Sequence, residues 1–178
     1  MTNDGAIMKL QSWSISMGRL LILACLAVAQ TFSQAQAPNN KGPVSGHATG
    51  TFDVKVIPQT ADEQAQAASI GRMSLDKQWH GELTGTSKGE MLAFGTGAKG
   101  TSGAYVAMEQ FTGTLAGRSG SFVLQQSGTL TRGVPKLTIS VVPDSGTGQL
   151  VGLTGTMTLI IADGKHSYDF EYTLPESH

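Results

Sequence analysis

The chain predicts an all-β fold, a single closed or nearly closed antiparallel barrel of about seven or eight strands. Three observations carry that prediction. Apolar residues recur with a period of two along most of the chain after residue 50, the alternation of a sheet with one dry and one wet face. The tripeptide Thr-Gly-Thr occurs four times, at 49–51, 84–86, 112–114 and 154–156, each time inside or beside such a run. A glycine within a strand weakens it unless the backbone bends or another segment comes close, and repeated bends curl a sheet into a barrel. Finally, Asp163-Gly164 stands between two apolar runs, the strongest short-range cue for a hairpin.

Taken in order, Thr51 to Val56 alternates, with Phe52, Val54 and Val56 on one face and Thr51, Asp53 and Lys55 on the other, and Pro58 is expected to end the strand. Thr60-Ala61-Asp62-Glu63 has the spacing of a capping box ahead of residues 64–68, predicting one or two helical turns against the alternative of a loop. Met73, Leu75 and Trp79 share a parity that Lys77 interrupts. The next strand is expected from Trp79 to Phe94, followed by a loop over residues 95–103. Ala104 to Phe111 is almost wholly apolar, which predicts burial on both faces. Residues 119–130 place Phe122, Leu124 and Leu130 on one parity, and residues 137–142 form a further strand stopped at Pro143. The closing hairpin pairs 155–161 with 166–174.

Ahead of the barrel, Lys9 and Arg19 precede the ten apolar residues 20–29, and small residues follow at 33–37. That run is too short to span a bilayer and fits the core of a signal peptide. The reading is a signal peptide over 1–35, a flexible tail over 36–46, and a β-barrel domain over 47–178, exported to the periplasm or secreted, with no membrane attachment once the leader is removed. The single cysteine, Cys25, lies in the leader, so neither a disulfide framework nor a cysteine-based metal site is expected beyond it. With 12 Lys+Arg against 13 Asp+Glu and a pI near 6.4, the chain offers no basic field for phosphate backbones, and nucleic acid is excluded as a partner.

Chemistry in such a barrel is sought among polar residues on the apolar parity. Glu109 interrupts the apolar run of Tyr105-Val106-Ala107-Met108. It reads either as a general acid/base or ligand anchor, or as a carboxylate held by Arg118, Arg132 or strand-end amides. Gln126 shares the parity of Phe122 and Leu124, as a core amide or a ligand contact. His80 and Glu82 stand two apart and could form half of a metal site or a proton-transfer pair, although a solvent-facing pair on the outer wall is the simpler reading. Trp79 and Tyr105 adjoin these residues and are candidate cavity walls. His166 follows the Asp-Gly turn and reads as part of the hairpin. No spacing completes a metal site, and neither metal nor cofactor is expected.

Residues 50–52, Lys88-Gly89-Glu90-Met91, the run from Phe111 to Phe122, residues 142–148 and Asp163 to Tyr168 together resemble the family called domain of unknown function 3224. The resemblance covers essentially the whole chain after the leader. It implies a small antiparallel barrel related in fold to allene oxide cyclase and dirigent proteins. It supplies no active site, because no catalytic position of either relative is matched here, and fold alone does not give function. The leading expectation is an exported barrel that binds a small hydrophobic molecule through Trp79, His80, Glu82, Tyr105, Glu109 and Gln126. The alternatives are an isomerase or cyclase using Glu109 as acid/base, and a structural or interaction protein with a filled barrel. Related barrels often assemble, so a homo-oligomer is carried as an expectation, although no interface stripe is visible.

Overall fold

The structure is a computed structural model that describes residues 42–95, 98 and 100–175; the signal peptide expected over 1–35 and residues 36–41 of the expected tail lie outside them. Eight strands run in chain order: β1 Val44–Gln59, β2 Gly71–Gly81, β3 Leu83–Phe94, β4 Gly103–Leu115, β5 Arg118–Thr131, β6 Val134–Val141, β7 Thr154–Ala162 and β8 Lys165–Leu174. Each pairs antiparallel with its neighbour and β8 returns to β1, closing the barrel. Closure leaves no free edge to template aggregation.

Several strands extend past their apolar runs because a partner ladder continues. Residues 44–46, expected in the tail, pair with Leu174, Thr173 and Tyr172. Pro58 does not end β1 but faces Met73 within the β1–β2 ladder. The short helix α1, Glu63–Ala67, starts one residue after Asp62, whose carboxylate accepts from the Ala65 amide at 2.8 Å. The cap is therefore Asp62 rather than Thr60.

One expectation is overturned along β4. Ala107, Glu109 and Phe111 point inward and are buried, whereas Val106 and Met108 are about half exposed on the outer wall. The apolar run is a strand with an apolar outer face, not one covered on both sides.

Glycine placement follows the need for close approach. Gly85, Gly113 and Gly120 stand side by side across β3, β4 and β5. At Gly85, φ is +151°, and a Cβ there would run into the Thr112 carbonyl oxygen. At Gly113 a Cβ would strike the Thr84 carbonyl and come within 2.8 Å of the Phe111 ring. Two of the Thr-Gly-Thr repeats thus give up side chains so that adjacent strands can crowd together and a ring can fill the lumen.

The barrel has two unlike ends. The β6–β7 connection closes one: β6 and β7 share the single pair Ser140–Thr156, and the connection folds its 3-10 turn, Gly148–Leu150, over β5 instead. The Thr147 amide donates to the Ser121 carbonyl and the Ser121 amide donates to the Thr147 hydroxyl, and Leu150 and Leu153 are buried. Behind this plug the lumen is filled by rings: Trp79 packs on Phe52 with centroids 4.7 Å apart, Phe111 on Phe122 at 4.9 Å, and Phe122 on Phe170 at 5.8 Å. Tyr168 joins them, its hydroxyl accepting from the Leu83 amide at 2.9 Å. The β2–β3 and β4–β5 turns lie at this same end, and the other four connections, β1–β2, β3–β4, β5–β6 and β7–β8, gather at the opposite one.

Candidate functional site

Towards the end that carries the four hairpins the lumen changes character. Inward positions there carry Val54, Val56, Leu75, Met91, Leu159 and Ile161, smaller or more flexible side chains than the rings of the plugged half. They leave an inner cavity of about 200 Å³, which Lys77, Tyr105, Gln126 and His166 also line. A larger space of about 480 Å³ lies towards the β3–β4 and β5–β6 hairpins, bounded by Met73, Ala93, Phe94, Ala104, Leu130 and Leu137 among others. The two share Met91, Tyr105 and Ile161 as a common wall. The lumen is therefore packed with rings towards the plug and open towards the four hairpins, while a separate surface cleft of about 600 Å³ lies at the plugged end against β1, β6, β7 and β8.

A buried polar cluster separates the halves. On β4, the Glu109 carboxylate accepts from three directions: Lys77 Nζ on β2 at 2.6 Å, Gln126 Nε2 on β5 at 2.5 Å, and the Ser87 hydroxyl on β3. Ser87 in turn accepts from Trp79 Nε1 at 2.7 Å. All five residues are buried. The Lys77 ammonium also lies 5.0 Å from the Phe52 ring centroid and 5.1 Å from that of Trp79, the geometry of a cation over an aromatic face. An ion pair this deep is tolerable because three donors meet the carboxylate and the cation rests on rings.

Three of the expected site residues meet here. Glu109, Gln126 and Tyr105 all point into the lumen, with Tyr105 and Gln126 on the cavity wall and Glu109 directly beneath. Burial, and then the charge of Glu109, push the Tyr105 phenol above its ordinary value. Trp79 is not a cavity wall: it is wholly buried in the ring-filled half and meets the cluster through its hydrogen bond to Ser87 and through the face it offers to the Lys77 ammonium. His80 and Glu82 lie outside the barrel. His80 Nε2 is 3.1 Å from Asp53 Oδ2, and Glu82 accepts from the Thr49 amide at 2.8 Å, so each is engaged with a neighbouring strand rather than with the other. Among the described residues no three of His, Cys, Asp and Glu converge as a metal site would require.

The partners proposed for Glu109 are also corrected. Arg118 and Arg132 sit at the turns that begin and end β5, and the carboxylate is met by Lys77 instead. Lys77 continues the inward parity of Leu75 and Trp79, so what looked like an interruption was the partner. Parity alone could have found it: a lysine and a glutamate, each alone on an inward face of a closed barrel, have only one another for compensation. His166 was missed for a different reason. The hairpin that explains its position also turns its ring inward, 5.1 Å from Phe52 and onto the cavity wall.

Comparison with known proteins agrees with this architecture. A crystal structure of a protein of unknown function from Shewanella oneidensis MR-1, assigned to the DUF3224 family, is 46% identical, superposes with a TM-score of 0.68, and covers 75% of this chain and all of its own. No curated protein matches. Residues 48–172, from the middle of β1 to near the end of β8, match the family described as protein of unknown function (DUF3224), and the chain belongs to that family.

Proposed function

We propose that this chain is an exported binding protein that holds a small, largely apolar molecule in the hollow half of its barrel. One observation carries the reading: a lumen that is solid on one side of a buried ion pair and hollow on the other, with aliphatic and methionine walls and a few polar groups at its base. Concave, mostly apolar space with a small set of placed polar groups is the usual form of a ligand site. A barrel whose purpose was only structural would gain stability by filling that space, because unfilled volume forfeits packing contacts. Export is supported by the basic, apolar and small-residue succession of positions 9–37.

The geometry favours binding over acid/base catalysis by Glu109. Its carboxylate is occupied by three donors below the cavity, so it serves to hold Lys77 and Gln126 in place rather than to meet a substrate. The test is titration with an uncharged solvatochromic dye such as Nile red, using the wild-type chain and Ala93→Trp. Ala93 lines the outer space, and an indole there occupies it. Saturable binding that weakens at least about tenfold in the variant, with unchanged melting, is the expected result; this is about 1.4 kcal/mol. Equal binding by both proteins would place the dye elsewhere and refute the reading.

A further inference from the structure

The base of the cavity has a net charge of zero, and that selects among ligands. Resting on the binding reading above, we infer that the barrel takes molecules with an apolar body and a single uncharged hydroxyl or carbonyl head, and rejects the corresponding carboxylates. Lys77 and Glu109 neutralise one another at 2.6 Å, and both are removed from water. A carboxylate arriving beside them is a third charge without a partner, in a place where desolvation is expensive.

A neutral head meets ready partners. Lys77 donates one of its three N–H groups to Glu109 and has no other hydrogen-bond acceptor among the described residues. Gln126 must direct its amide N–H to the carboxylate, which leaves its carbonyl oxygen without a donor. Both residues line the cavity. A hydroxyl can therefore accept from Lys77 and donate to Gln126 at once, while a ketone or aldehyde uses Lys77 alone. The phenol of Tyr105 supplies an independent sign of the same preference: its wall position is already unfavourable to negative charge, through burial and through Glu109. His166 is the other chargeable group on the inner wall, stacked on Phe52.

The experiment is displacement of Nile red from the full chain by decanol, decanal, decanoate and decylammonium. Decanol should bind tightest, decanal next, and decanoate and decylammonium at least about tenfold more weakly than decanol. His166→Gln should leave the order unchanged. Glu109→Gln leaves Lys77 as an uncompensated cation, and decanoate should then overtake decanol. Should Glu109→Gln fail to fold, Lys77→Met/Glu109→Leu provides the second test: with the charged pair gone and Gln126 left to pair with a hydroxyl, decanol should lose most of its lead over decane. Decanoate matching decanol in the wild-type chain, or an unchanged preference in both variants, overturns the selectivity while leaving the binding site standing. Failure of every probe to displace the dye from wild type overturns both.

Discussion

Breaking the central ion pair one residue at a time should cost far more than removing it whole. Glu109→Leu strands the Lys77 ammonium in a site that is almost fully buried and takes away the acceptor used by Ser87 and Gln126. Removing one partner of a buried pair costs about 3–5 kcal/mol, because the other charge keeps its desolvation penalty. Lys77→Met leaves the Glu109 carboxylate with Ser87 and Gln126 as donors, so its loss should fall at the lower end of that range. The double variant replaces two charges with apolar side chains of similar length. Such replacements are commonly neutral or stabilising by about 1–4 kcal/mol, and here the hydrogen bonds left open at Ser87 and Gln126 should offset part of any gain. The coupling energy is thus expected to be at least about 3 kcal/mol. For a domain of this size each single substitution should lower the melting temperature by roughly 10 °C, with the double variant within a few degrees of wild type. Urea unfolding monitored by circular dichroism, with all four proteins at one pH, measures the cycle. Additive losses, with the double variant the least stable, would refute the assignment of Lys77 and Glu109 as mutual partners.

Other outcomes follow from the same packing. Gly85→Ala places a side chain against the Thr112 carbonyl at a backbone angle that suits glycine, and should destabilise by about 1–3 kcal/mol in denaturant titration; a neutral result would remove the close-approach account of the Thr-Gly-Thr repeats. Tyr168→Phe deprives the buried Leu83 amide of its acceptor, for a loss of about 1–3 kcal/mol, readable as faster hydrogen exchange at Leu83. Burial, followed by the charge of Glu109, raises the Tyr105 phenol, and burial also raises that of Tyr168. The unfolded chain therefore releases these protons first. The resulting stability is intact below about pH 10, the unfolded value, and is lost as pH rises through the higher folded values. Tyr105→Phe should flatten the alkaline decline in melting temperature, and an unchanged profile would contradict the phenol's placement.

The barrel was legible because its parity is written along every strand: Phe52, Val54 and Val56 on β1, or Phe122 and Leu124 on β5, admit only one inward face. Two things blurred that pattern. The apolar outer residues Val106 and Met108 made β4 look buried throughout, since hydropathy does not say which side of a strand is covered. Lys77 looked like a break because a buried lysine is rare enough that parity is the first thing doubted. The site was legible only in part. Tyr105, Glu109 and Gln126 could be picked out singly as polar residues on inward positions, but their meeting depends on which strands neighbour one another and in what register. Glu109 lies opposite Gly89 on β3, which leaves room above a small residue for Lys77 to reach across from β2. His80 and Glu82 misled because two-residue spacing promises a shared face only while a strand stays regular. At Gly81, φ reaches +111° and the chain turns towards β3, and the two side chains go to different neighbours.

The binding claim is tested most directly by the methionine methyl groups, which sample every region of the barrel. Met73 and Met91 line the hollow half, Met157 is buried in the core cluster, and Met108 lies on the outer wall. Titrating decanol into methyl-labelled protein and following these resonances by NMR should move Met91 and Met73 saturably while Met157 and Met108 hold their positions. Movement of Met108 with Met91 and Met73 unchanged would contradict the account, because the ligand would then be sitting on the outer wall of the barrel and not within it.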